Sequence, residues 1–137
     1  MGPASPIPVI TAFTLSLDTP EKMRTQAQKN CFRPLLKIKL GTPDDMPRLQ
    51  AVRQGAPLSD IIVDANEGRN AETYAELAPD LLRLGVKLVE QPFPAENDEA
   101  LLEVERPVPI CADESCHDRT RLSKLTSKYD MVNIKLD

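Results

Sequence analysis

Apolar and polar positions along the chain repeat in one pattern: a short hydrophobic run that closes on a charge. The runs are Leu35-Leu36-Lys37-Ile38-Lys39, Ile61-Ile62-Val63-Asp64, Val86-Lys87-Leu88-Val89-Glu90, Val108-Pro109-Ile110-Cys111-Ala112-Asp113 and Met131-Val132-Asn133-Ile134-Lys135. Each has strand length and β-branched content, and a helix-like segment separates each from the next. Strands that are apolar along their length and polar only where they emerge are typical of buried parallel sheets. Val9 to Leu17 alternate more loosely, with Thr11 and Thr14 among them, and predict a first strand ahead of the other five.

The intervening segments carry helix signals. Asp18-Thr19-Pro20-Glu21 combines a threonine cap, a proline at the first helical position and an acid in the first turn, so a helix is predicted to about Asn30. Gly41-Thr42-Pro43-Asp44-Asp45 repeats the signal for a second helix over roughly 43–53, ending before Gly55 and Pro57. The third, over 71–84, is apolar at Tyr74, Leu77, Ala78, Leu81 and Leu82 and is closed by Gly85. Pro92 and Pro94 end the Glu90 strand. A short helix over 96–105 and a fifth over 118–127 complete the set. About six parallel strands with five intervening helices predict an α/β fold, a partial (β/α) barrel over 9–137 behind a proline-rich tail over 1–8. A closed barrel of eight such units needs about 250 residues; 137 residues predict an incomplete one.

Composition narrows the partners. A net charge of −4 offers no basic face to nucleic acid. No stretch approaches the roughly 18 apolar residues of a membrane helix, and the N-terminus lacks a signal-peptide core. Three cysteines, Cys31, Cys111 and Cys116, an odd number without a Cys-x-x-Cys, suggest a reduced, cytoplasmic setting. An open sheet has unpaired edges, which favours a homo-oligomer or a second fragment that completes the barrel.

In a (β/α) barrel the strand C-termini open on one face, which carries the active site. Here those ends bring Lys39, Asp64, Glu90, Asp113 and Lys135, in that order. Lys37 and Lys39 share one side of their strand. Like charge and partial burial push a lysine pKa down, toward use as a base near neutrality. A lone Lys-x-Lys more often just leaves a strand into solvent; Lys135 ending another apolar strand in the same way favours the chemical reading. Any one of the three acids alone would be an ordinary strand-end residue. Three in successive strands, with oxygen donors only, suit Mg²⁺ or Mn²⁺ better than zinc. Asn66 and Glu114 stand beside two of these acids, either as partners that orient them or as solvated loop residues. His117, the only histidine, would make a poor tetrahedron with Cys111 and Cys116, so no zinc site is expected.

Lys-Ile-Lys, Val-Asp-Ala-Asn, Glu-Gln-Pro, Ala-Asp-Glu-Ser and Asn-Ile-Lys-Leu-Asp occur in this order, with their charged positions 22 to 26 residues apart. Together they resemble the barrel motifs of the enolase superfamily, muconate-lactonising subgroup, and their wording is closest to the L-Ala-D/L-Glu (dipeptide) epimerases. The resemblance implies a TIM-type barrel in which Asp64, Glu90 and Asp113 bind Mg²⁺. It implies Lys39 and Lys135 as the acid/base pair of a 1,1-proton transfer through an ene-diolate, with Lys37 in support. The implied substrate is a small dipeptide of the L-Ala-D/L-Glu type, as met in peptidoglycan turnover. N-acylamino-acid racemase, o-succinylbenzoate synthase and muconate cycloisomerase share the same frame. Against the family pattern, the chain lacks the N-terminal capping domain and the last strands with their Asp-x-Asp, and Cys31-Phe32-Arg33-Pro34 stands where a glycine is more usual. A catalytically inactive truncated fragment is therefore the alternative expectation.

Overall fold

The computed structural model of the protein describes residues 2, 8–116 and 122–135. Most of the expected tail, His117, the start of the fifth helix and the last two residues of the final motif lie outside the described residues.

Six parallel strands form one sheet in chain order: β1 (Phe13–Thr14), β2 (Leu35–Lys39), β3 (Asp60–Asp64), β4 (Val86–Glu90), β5 (Ile110–Ala112) and β6 (Met131–Val132). Between them run α1 (Pro20–Lys29), α2 (Asp45–Gly55), α3 (Ala71–Arg83) and α4 (Leu122–Leu125), with 3-10 turns at Asp98–Leu102 and Glu114–Cys116. Right-handed crossovers between strands taken in sequence put every connection on the same side of the sheet. One face is therefore covered by helices and the other is not. In β2 the buried Leu36 and Ile38 point to the helices, and Lys37 and Lys39 alternate to the open face. The register pairs Lys39 with Asp64 and Asp64 with Glu90, so charges on three successive strands line up across the sheet.

The core lies between sheet and helices and includes Met23, Leu36, Ile38, Leu49, Ile61, Leu81 and Ile110, all fully buried. The Thr19 side chain caps α1 by accepting the Lys22 amide, and Asn70 and Thr73 form a reciprocal capping box at the start of α3. α2 differs from expectation at both ends. The buried Asp45 carboxylate turns back to accept the amides of Gly41 (2.7 Å) and Thr42 (3.1 Å), which keeps 41–44 as a turn outside the helix. Gly55 closes the helix, and α1 packs so tightly against it that a Cβ there would collide with the Arg24 carbonyl oxygen, so only glycine fits.

Three further expectations are corrected. The segment predicted as a helix over 96–105 forms only the short 3-10 turn, because Asp98 is buried as a hydrogen-bond acceptor and prolines crowd both sides. The strand predicted over Val9 to Leu17 pairs only at Phe13–Thr14, and the last run pairs only at Met131–Val132. Both are edge strands with a neighbour on one side alone, so fewer ladder bonds hold their ends. Within the fifth predicted helix the described part is the single turn of α4.

Tyr74 is buried with its ring edge-on to Phe93 at 5.7 Å, yet its hydroxyl has no partner among the described residues. Burial pushes that hydroxyl's pKa up to about 12. An unpaired buried hydroxyl costs free energy, so Tyr74→Phe is expected to raise stability by about 1 kcal/mol in urea unfolding. A loss of stability would mean that the hydroxyl has a partner.

Candidate active site

The open face of the sheet, at the C-terminal ends of the strands, gathers the charges that the sequence singles out. Lys37 projects from β2 and places its ammonium between two carboxylates, 3.0 Å from Asp64 Oδ2 on β3 and in contact with Glu90 Oε2 on β4. Asp64 and Glu90 are both buried. Burial lowers the Lys37 pKa, but hydrogen bonds and charge from Glu90 and Asp64 outweigh it, and the net shift is upward. The expected mutual lowering within Lys-Ile-Lys is thus reversed at Lys37, because two acids lie closer to it than electrostatic repulsion from Lys39 can offset. Lys39 is exposed at the end of β2 and has no ion pair among the described residues.

Asp113 follows β5, and its carboxylate lies 2.9 Å from Lys135 Nζ, which raises the pKa of that exposed lysine through the hydrogen bond first and the charge second. Lys37 and Lys135 thus each hold acids of the row. Among the described residues no three histidine, cysteine or acidic side chains come close enough to form a metal-holding group as they stand.

The auxiliary residues divide. Asn66 acts through its backbone: with φ +47° its amide donates to Asp64 Oδ1 at 3.1 Å, while the residue itself is exposed. Glu114 has a buried Oε2 with no hydrogen-bond partner, and desolvation, followed by the charges of Asp113, Glu67 and Asp64, raises its pKa. Asn133, part of the last sequence motif and just past β6, donates from Nδ2 to Glu90 Oε1 at 2.9 Å and so ties the segment after β6 to the end of β4. In the run that the sequence predicts as a strand it stands two residues before Lys135 on the same side, which is the signal the sequence offers. Cys111 sits on the same face between Glu90 and Asp113. Burial, and then those two charges, push its thiol up to about 12, too high for a nucleophile.

Hard oxygen donors on adjacent strand ends are the chemistry that a divalent cation such as Mg²⁺ requires. Among the described residues the buried Glu90 Oε2 makes no hydrogen bond of normal geometry and pairs with the Lys37 ammonium. On both counts the chemistry of these donors fits such an ion.

Residues 19–137 match the family described as enolase C-terminal domain-like. The chain is 45% identical over 139 residues to an L-Ala-D/L-Glu epimerase of Escherichia coli (strain K12), matching 100% of this chain and 43% of that protein. It is 44% identical over 128 residues to an N-acetyl-D-glutamate racemase of Pseudoalteromonas sp, matching 93% of this chain and 41% of that protein. Among solved structures, an enolase family member from Agrobacterium tumefaciens with homology to dipeptide epimerases, holding sodium and L-Ala-L-Glu, superposes with TM-score 0.90 at 48% identity over 94% of this chain and 40% of its own. A dipeptide epimerase from Enterococcus faecalis V583, complexed with Mg and L-Leu-L-Tyr, does so with TM-score 0.84 at 32% identity over 93% of this chain and 38% of its own. The chain therefore spans about two-fifths of the length of the relatives it matches.

Proposed function

The chain belongs to the enolase C-terminal domain-like family, and we propose that it supplies the acid/base and cation-holding face of an isomerase that inverts the glutamate α-carbon of L-Ala-D/L-Glu-type dipeptides. The observation that carries the reading is the row of charges on the open face: an acid at or just past the end of each of three adjacent strands, with Lys39 before them and Lys135 after.

Asp64, Glu90 and Asp113 would hold Mg²⁺, with Mn²⁺ as a substitute. The cation, when bound, neutralises the charge that builds on the substrate carboxylate as the α-proton leaves. Lys39 and Lys135 stand on opposite flanks of the acids, so one takes the α-proton from one face and the other returns a proton to the opposite face, which inverts the centre. Lys37, held by two acids, keeps its proton and offsets their charge. Asn133 fixes one oxygen of Glu90 and the Asn66 amide one oxygen of Asp64, which orients both carboxylates. All three cysteines are free, in keeping with a reducing cytoplasmic setting.

Incubating the protein that carries this chain with L-Ala-L-Glu and Mg²⁺ in D₂O tests the proposal. Deuterium is expected at the glutamate α-carbon together with the D-epimer. The similarity to an N-acetylglutamate racemase favours a second reading, in which the same site inverts an N-acylated glutamate; N-acetyl-glutamate in a parallel incubation distinguishes the two. Exchange with neither compound would overturn both.

A further inference from the structure

We propose that Gln91 is a positioning residue: its carboxamide ties the end of β4 to the Asp113–Ser115 turn and so sets where the Asp113 carboxylate stands. The inference rests on the proposed role of Asp113 at the cation site.

Gln91 follows Glu90 directly and is completely buried, with its backbone held at φ +36°. Few residues with a side chain adopt that region, and strain of this kind persists where the surroundings impose it. Two backbone hydrogen bonds do so: the Gln91 amide donates to the Cys111 carbonyl, and the Gln91 carbonyl accepts the Glu67 amide, both at 2.9 Å. The turn in the backbone sends the side chain across to the end of β5. There Oε1 accepts two amides, those of Asp113 (2.9 Å) and Ser115 (3.0 Å).

Nε2 faces three acceptors, the Phe93 carbonyl, Ser115 Oγ and Tyr129 OH, at 2.8 to 2.9 Å. Both hydroxyls point their protons at Asp98 Oδ2, at 2.7 and 3.0 Å, which leaves their lone pairs for Gln91. Asp98 is itself buried and paired with the buried Lys128 at 2.5 Å. The carboxamide is therefore locked in one orientation by a satisfied network, and a carboxylate could not replace it, because its second oxygen would face the Phe93 carbonyl. The amides that the network grips belong to Asp113 and to the residue two beyond it, one on either side of Glu114. Phe93 and the Asp98–Lys128 pair thus act on the cation site without touching it.

The test reads the two amides directly. In Gln91→Met, which keeps the length of the side chain and removes its hydrogen bonds, exchange protection of the Asp113 and Ser115 amides is expected to fall at least tenfold relative to that of the Ala65 amide, which follows β3 and donates to the Glu90 carbonyl. Mg²⁺ affinity, measured by titration calorimetry, is expected to fall at least tenfold. Tyr129→Phe, which removes one hydroxyl from the network, should shift both quantities in the same direction by less; it serves as the test should Gln91→Met not fold. Tyr74→Phe, at a buried hydroxyl outside the network, should leave Mg²⁺ affinity and the protection of both amides relative to Ala65 unchanged, whatever it adds to global stability. A general loss of stability would lower protection at Ala65 equally, so a uniform fall overturns the proposal, as does wild-type protection at Asp113 and Ser115. Protection is read without metal or substrate: a wild-type protein that binds no Mg²⁺ and exchanges no α-proton would sink the functional reading while the amide measurement still decides the role of Gln91.

Discussion

Replacing Lys39 or Lys135 with alanine is expected to lower the rate of α-proton exchange by about 10²–10⁴-fold, the range typical of a lost general acid or base. The two variants should differ in a revealing way. Each removes one of the two faces from which the proton is exchanged, so each abolishes net inversion. The lysine that remains can still exchange the proton of the stereoisomer it faces. Lys39→Ala and Lys135→Ala should therefore retain residual deuterium wash-in with opposite substrate epimers. Wild-type epimerisation by either variant would remove that lysine from the reaction. Neither change should disturb folding much, since both side chains are exposed and Lys39 has no ion pair among the described residues.

Lys37→Met should have the larger effect on stability. It leaves the buried carboxylates of Asp64 and Glu90 side by side with no cation between them, and breaking a buried charge pair in this way costs about 3–5 kcal/mol. Urea unfolding near pH 7 measures the loss, and millimolar Mg²⁺ should restore part of it in the variant by taking over the neutralisation. The wild-type protein should show the same dependence through pH. Because Lys37 has a folded pKa above its ordinary 10.5, its contribution is complete below pH 10.5 and is lost as pH climbs through the folded value. A variant as stable as wild type at neutral pH without metal would show that the acids do not need the ammonium.

Much of the site was legible because its chemistry lies at strand ends, where a charge after an apolar run stands out. The pattern identified β2, β3 and β4 to within a residue, and the rule that barrel strand ends open on one face grouped Lys39, Asp64 and Glu90. What it left out follows from distance along the chain. Nothing near Lys37 in sequence signals that its ammonium would lie between Asp64 and Glu90, so a pKa argument from Lys39 alone had the wrong sign. Asn133 meets Glu90 across 43 residues, and Gln91 meets Tyr129 across 38. The helix predicted over 96–105 failed for the same reason: Asp98 reads locally as an ordinary polar helix residue, yet its carboxylate is fixed by Lys128, Ser115 and Tyr129.

The sequence by itself determined the order of strands and helices and the residue types that line the strand ends. Hydrophobic period and capping are local properties, and parallel βα units in succession leave little choice of topology. Only the tertiary structure decided which charge faces which. That depends on register and side-chain reach between strands more than twenty residues apart, and ionic and hydrogen-bond energies at a few ångströms change sign with the neighbour that happens to be there.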